Sequence, residues 1–273
     1  MVFELGHPTM VALDIDGTLH CAEDTNPLAH ETISVAVRAA VRAVVLSGAH
    51  VVLCTGRLAP ATRPFLRELN IIAGFAICSN GAVLIDATTG KVVEQALFDL
   101  RDPIAVLREQ LPGAIFVSEN PGVGVRATGF VDDADMHHGE VELVGIDELA
   151  TMSTTRLAVH WPGHSGQALT EILTGVDLPG IRSLCYEDEP LADLTAAGVS
   201  KAAMLERLRI ELGVAATETL AVGDGINDLE MLDWAAHGVA MGHAPASVLA
   251  AADQICPPGT EDGLATALSG WFR

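Results

Sequence analysis

Apolar positions along the chain fall into two rhythms. Residues 10–13, 51–54, 75–78, 219–222 and 238–241 form short, predominantly apolar runs, and each is followed by a turn with Gly, Asp, Thr, Ser or Asn. Runs of that length and closure read as parallel strands covered on both faces. Between them the period lengthens. Across 29–46, Ile33, Ala36, Val37, Ala40, Val41, Val44 and Val45 make one stripe, with Glu31, Arg38 and Arg42 off it, which predicts an amphipathic helix stopped by Gly48. Further helices are expected over 60–69, from an N-cap at Ser200 through 212, over 228–234 and over 246–252. Strand, helix and strand in that order form right-handed parallel units, so every strand end falls on one sheet edge.

The texture changes in the middle. Residues 83–85 and 92–93 flank a turn at 86–90 and read as a hairpin, which an alternating β/α core does not contain. Beyond it, β-like pieces at 115–118, 123–127, 140–144, 157–160 and 181–186 interleave with helical ones at 103–110, 147–152 and 166–173. The expected class is therefore α/β: a Rossmann-like parallel-sheet core, residues 1–83 and 191–273, with an inserted α+β domain over 84–190.

At 273 residues the chain can bury such a core without disulfide or metal staples. Charged residues interrupt every long apolar run short of the roughly 20 needed to cross a bilayer. The first residues lack a signal peptide's basic patch and apolar stretch, so the expected location is cytoplasmic, with no membrane partner. Five cysteines, Cys21, Cys54, Cys78, Cys185 and Cys256, are odd in number and widely spaced, and read as reduced thiols. The formal net charge of -21, with no basic cluster, argues against a nucleic-acid partner. An acidic chain acting on an anionic substrate needs a local cation. Lys91 and Lys201 are the only lysines, so their placement is informative.

Four widely separated sites converge on the common sheet edge: Asp14 with Asp16, Thr55, Lys201, and Asp224 with Asp228. D-x-D-G by itself reads equally well as a solvated turn. The four together, each after the right kind of element, make coincidence a poor account. An oxygen-only cluster without His or Cys suits Mg²⁺ better than zinc. The turns after Asp16 and at Thr55-Gly56 can offer backbone N–H groups to phosphate oxygens, and Lys201 adds a positive charge.

These residues resemble the haloacid dehalogenase superfamily of phosphohydrolases. Its D-x-D-G-T matches Asp14 to Thr18, its Thr-Gly pair Thr55-Gly56, its lysine Lys201, and its G-D-G-x-N-D Gly223 to Asp228. The insertion resembles the large cap of the Cof-type branch in size and position, and Ser79-Asn80-Gly81-Ala82 adds support in the core. The resemblance implies Asp14 as the nucleophile forming an aspartyl-phosphate, and Asp16 as general acid and base. It implies Mg²⁺ held by Asp14, the backbone carbonyl of Asp16, Asp224 and Asp228, with Thr55, Gly56, Lys201 and Asn227 on the phosphate. The implied reaction is hydrolysis of a small phosphorylated metabolite such as a sugar phosphate. A phosphomutase or phosphotransferase built on the same intermediate stays open, as does a non-catalytic phosphometabolite-binding protein. The motifs carry no information on oligomeric state.

Departures from the family pattern are His243, where Asn is usual, and Cys256, where Thr is common; neither is expected to touch the phosphate chemistry, though His243 is expected to alter a loop near the metal edge. Arg57 reads as substrate contact or helix-start ion pair, and His137-His138 as a solvated pair. The run Glu187-Asp188-Glu189 reads as a hairpin tip. Arg126, Arg156 and His160 are the cap residues expected to set specificity.

Overall fold

The computed structural model describes residues 7–21, 33–132, 134–186 and 189–272. Two sheets organise it. The larger runs in the order 254–256, 237–241, 219–223, 10–13, 50–54, 75–78, 83–86, 92–95. Its first six strands are parallel; the last two add on antiparallel at one edge. Met10–Leu13 is central, which explains why it is apolar at every position: Val11 and Leu13 enter the core on one face, Met10 and Ala12 on the other.

The helix Val35–Leu46, capped by Ser34, and the helix Gly263–Ser269 cover one face, and Lys201–Leu212 and Leu229–Trp234 the other. The expected start of the first helix at residue 29 lies outside the described residues. Ser200 caps its helix as expected, its Oγ accepting from Ala203 N at 3.2 Å. Among the described residues, no helix is long and apolar enough to cross a membrane. All five cysteines are free.

The smaller sheet, in the order 181–186, 191–196, 157–160, 115–120, 124–127, 140–143, is antiparallel except for its last pair. It is a cap inserted into the core. Helices Arg101–Gln110 and Gly166–Gly175 fill one face with Ile104, Leu107, Leu169 and Leu173. On the other face Val117, Val125 and Ala158 pack on Leu58 of the core.

Sheet membership changes at other points than the expected 83/84 and 190/191. The hairpin Val83–Asp86 and Val92–Gln95 bonds to the core sheet, because its first strand can pair antiparallel with Phe75–Cys78 across a tight turn. Leu191–Ala196, expected as the start of the returning core, is a cap strand. Its alternation was legible: Ala192 and Leu194 enter the cap core, while Asp193 and Thr195 face the other way.

Candidate active site

Register brings the motifs together. Leu13 stands opposite Val222 on one side and Leu53 on the other. The residues that follow, Asp14, Gly223-Asp224 and Cys54-Thr55, therefore emerge level at the carboxyl edge of the sheet, where open α/β folds bind ligands. Asp14 is anchored by its N–H donating to Val222 O at 3.0 Å.

Lys201, the first residue of its helix, is 1% exposed and inserts its ammonium between two carboxylates. Nζ donates to Asp14 Oδ1 and to Asp228 Oδ1, both at 2.6 Å. Burial works against the charge on Lys201, but Asp14 and Asp228 outweigh it and hold the ammonium above its ordinary pKa. Burial, then the Asp228 charge, raises the Asp14 carboxyl, which Lys201 partly offsets. Asp228 Oδ2 accepts from the N–H groups of Asp224 and Gly225, which fixes the loop that carries Asp224.

Asp224 accepts from Thr18 Oγ1 at 2.9 Å, and burial together with Asp228 raises its carboxyl to about 6. Gly17 is required between the two loops. Its φ is +82°, and a Cβ there would lie 2.0 Å from Asp224 Oδ2. Asp14, Asp224 and Asp228 each bring a carboxylate oxygen within 4.8 Å of the others, a hard, oxygen-only donor set of the kind that suits Mg²⁺. The Asp16 carboxylate is not among them. It turns to Arg57, whose Nε and Nη2 reach Oδ2 and Oδ1 at 2.7 and 2.5 Å.

That pair resolves Arg57. Standing just before the helix Ala59–Glu68, it forms an ion pair, as one of the two readings expected: its guanidinium lies 4.8 Å from the Phe65 ring centroid and grips Asp16, and it also lines the cleft. Thr55 is fully buried, its Oγ1 accepting from Arg57 N at 3.1 Å, while Gly56 lines the cleft. His243 lies at the metal edge, where its loop was expected: its Nε2 is 3.4 Å from Asp224 Oδ2, at the acidic cluster itself. Its loop leads back to the sheet edge, a proximity that sequence distance conceals. Cys256 stays clear, buried against Met241.

Above these groups opens a cleft of about 710 Å³ between core and cap. Asp14, Asp16 and Asn227 line its floor, and Arg156, Tyr186 and Asp193 its roof. Of the three expected cap residues only Arg156 faces it, with Nη1 donating to Gly56 O at 3.2 Å. Arg126 pairs instead with Glu142 at 2.8 Å on the outer part of the cap sheet, and His160 closes a strand opposite Ile115 and Leu191. Tyr186 and Asp193 were missed; the signal for Asp193 was a lone carboxylate in an alternating strand. His137 pairs with Asp132 at 2.9 Å. Glu187 and Asp188 lie outside the described residues, and Glu189 lines the cleft.

The comparisons agree with this geometry. Residues 11–120 and 177–268 match the family model described as haloacid dehalogenase-like hydrolase. The 5-amino-6-(5-phospho-D-ribitylamino)uracil phosphatase YitU of Bacillus subtilis is 25% identical over 97% of this chain and 98% of its own. The phosphatase BT1666 of Bacteroides thetaiotaomicron superposes with a TM-score of 0.78 at 26% identity, over 99% of this chain and 98% of that one. The subclass IIB sugar phosphatase BT4131 shares the fold, with a TM-score of 0.79 at 23% identity over 96% and 98%. The chain belongs to the haloacid dehalogenase-like hydrolase family, among its Cof-type phosphatases.

Proposed function

We propose that the protein is a Mg²⁺-dependent phosphomonoesterase that hydrolyses a small phosphorylated metabolite, a sugar phosphate or close relative, through an aspartyl-phosphate on Asp14. The observation that carries this reading is the buried Asp14–Lys201–Asp228 arrangement, with Asp224 beside it, on the floor of a cleft roofed by the cap.

An Asp14 carboxylate oxygen attacks phosphorus in line as the bond to the leaving oxygen breaks, and Asp16 gives that oxygen its proton. Asp16 then takes a proton from water; the water oxygen attacks phosphorus and the bond to Asp14 breaks, releasing phosphate. For either transfer Asp16 must exchange an Arg57 contact for the reacting group. Lys201 holds Asp14 in place and offsets part of the burial and Asp228 charge that oppose its ionisation, and Asn227 and the Gly56 loop receive phosphate oxygens. Asp14, Asp224 and Asp228, with the Asp16 carbonyl, would hold Mg²⁺, which would supply charge that offsets carboxylate–phosphate repulsion.

The roof favours a polyhydroxylated leaving group. Asp193, Tyr186 and Arg156 offer an acceptor, a hydroxyl and a donor fork within one cleft, a set suited to hydroxyls. The polyol portion of the substrate named for YitU and the sugar named for BT4131 are consistent with that set. Phosphate release measured across a panel of phosphorylated metabolites, with Mg²⁺ and with chelator, tests the reading. Turnover of sugar phosphates only with Mg²⁺ supports it; isomerised sugar phosphate without free phosphate would assign a mutase instead.

The role of Asp16 has its own test. Asp16→Asn keeps the shape but has no proton to exchange. The loss should scale with leaving-group basicity: roughly 10²–10⁴-fold for a sugar phosphate, and much less for p-nitrophenyl phosphate, whose phenolate leaves unprotonated. Equal losses on both substrates in kcat/KM, which reports formation of the aspartyl-phosphate and not its hydrolysis, would remove Asp16 from protonation of the leaving oxygen.

A further inference from the structure

The turn Ser79–Gly81 occupies a position that the mechanism above does not use. Ser79 N donates to Arg57 O at 2.9 Å and Asn80 N to Thr55 O at 3.1 Å, so the turn is bonded to the backbone of the phosphate loop. Ser79 and Asn80 both hold left-handed φ values, 53° and 54°, a conformation that a residue other than glycine keeps only where its surroundings over-determine it. Asn is among the residues that tolerate it.

What that backbone achieves is the placement of one amide. Asn80 is buried, and its Nδ2 donates to Asp193 Oδ2 at 2.9 Å while its Oδ1 accepts from Asn227 Nδ2 at 3.0 Å. The orientation is unambiguous, because a carboxylate only accepts and an amide nitrogen only donates. Asp193 belongs to the cap sheet and Asn227 to the loop that follows Asp224. The cap side is itself anchored: Tyr186 OH donates to the same Asp193 oxygen at 3.1 Å, and Arg156 spans from Asp193 Oδ1 to Gly56 O. Gly56 has no side chain where this amide pair lies, for a Cβ there would stand 3.1 Å from Asn80 Oδ1 and 3.5 Å from Asn227 Nδ2.

The geometry points to Asn80 as a positioning residue through which the cap's Asp193 sets the placement of Asn227, so that the phosphate site is complete only with the cap docked. This rests on the reading of Asn227 as a phosphate contact. A cap displaced enough to carry Asp193 away leaves the Asn80 amide held at one end, and Asn227 loses its orientation. Binding of phosphate and seating of the cap are then reciprocal, each favouring the other by the same factor.

Three variants test it. Asn80→Gly keeps the left-handed backbone and deletes both amide bonds. Measured with p-nitrophenyl phosphate, and by calorimetric binding of inorganic phosphate in Mg²⁺, it should weaken kcat/KM and phosphate affinity by about 10-fold or more. Combined with Asn227→Ala it should cost no more than Asn227→Ala alone. Asn80→Asp keeps the acceptor for Asn227 but sets two carboxylates against each other, and should lose a similar factor. Adding Asp193→Asn reverses donor and acceptor and should restore phosphate affinity to within about 3-fold of wild type. Additive losses for positions 80 and 227, or no rescue by Asp193→Asn, would overturn the inference while the wild type still hydrolyses phosphate esters. A wild type that neither hydrolyses an ester nor binds phosphate would instead overturn the proposed function.

Discussion

Asp14→Asn should abolish turnover, by roughly 10⁴-fold or more, while leaving the protein at least as stable as the wild type in chelator. The two halves of that expectation have different causes. Asn keeps an oxygen that can accept from Lys201 Nζ, as Asp14 Oδ1 does at 2.6 Å, but it lacks the anionic oxygen that would attack phosphorus. The stability half follows from the direction of the Asp14 shift. Burial and the neighbouring Asp228 raise its carboxyl more than Lys201 lowers it. An acid whose folded pKa is raised lowers stability as pH climbs through the interval above its unfolded value, and the cost persists at neutral pH. A neutral amide removes that cost. Phosphate release and a thermal melt, run on one preparation, read both halves. An acid-quenched wild-type reaction should carry a phosphoryl group on the peptide containing Asp14, absent from the variant. Turnover within tenfold of wild type would sink the nucleophile assignment whatever the melt shows.

Much of this site was legible in the chain because the relevant rules are local. Met10–Leu13, Phe75–Cys78, Leu157–His160 and Ile181–Tyr186 have the bounds that their apolar runs suggest, and a motif after a core strand lands on the carboxyl edge by the handedness of βαβ units. Side-chain partners across the cleft obey no such rule. Nothing in Thr55-Gly56-Arg57 says that the guanidinium turns back onto Asp16, since that depends on where Phe65 places its ring one helix later. The contact of His243 with Asp224 itself is not announced either, because a helix and a strand, Leu229–Trp234 and His237–Met241, separate the two in the chain.

The cap was harder for a related reason. Leu191–Ala196 alternates as a half-buried strand should, but its polar face is covered by the core and not by water. Asp193 at 4% exposure therefore has the sequence signature of a solvated residue and the environment of a buried one. Its burial is made tolerable by Asn80, Tyr186 and Arg156, which come from three other elements. Buried polar residues of this kind become visible only when core and cap are seen together.

Lys201→Met tests the electrostatic basis of the site separately from its chemistry. Methionine conserves volume and apolar stem, and such swaps in a packed interior cost less than about 1.5 kcal/mol through packing alone. Removing the ammonium leaves Asp14 and Asp228 buried against each other without their shared counter-charge, a change worth about 3–5 kcal/mol. Charge therefore outweighs shape. Denaturant unfolding in chelator should show the larger loss, whereas Lys91→Met, at an exposed position, should stay within about 0.5 kcal/mol of wild type. Mg²⁺ distinguishes this account from a simple packing defect. The variant's cluster is one unit more negative, so a divalent ion replaces part of the missing charge. Saturation at 100 times the dissociation constant adds about 2.7 kcal/mol to any binder, and the variant should reach that gain at lower Mg²⁺ than the wild type. Stability restored by Mg²⁺ with turnover still absent would mean that the ion can balance the carboxylates but cannot hold Asp14 in line. An equal response to Mg²⁺ in variant and wild type would show that Lys201 does not share the carboxylates' charge with a metal.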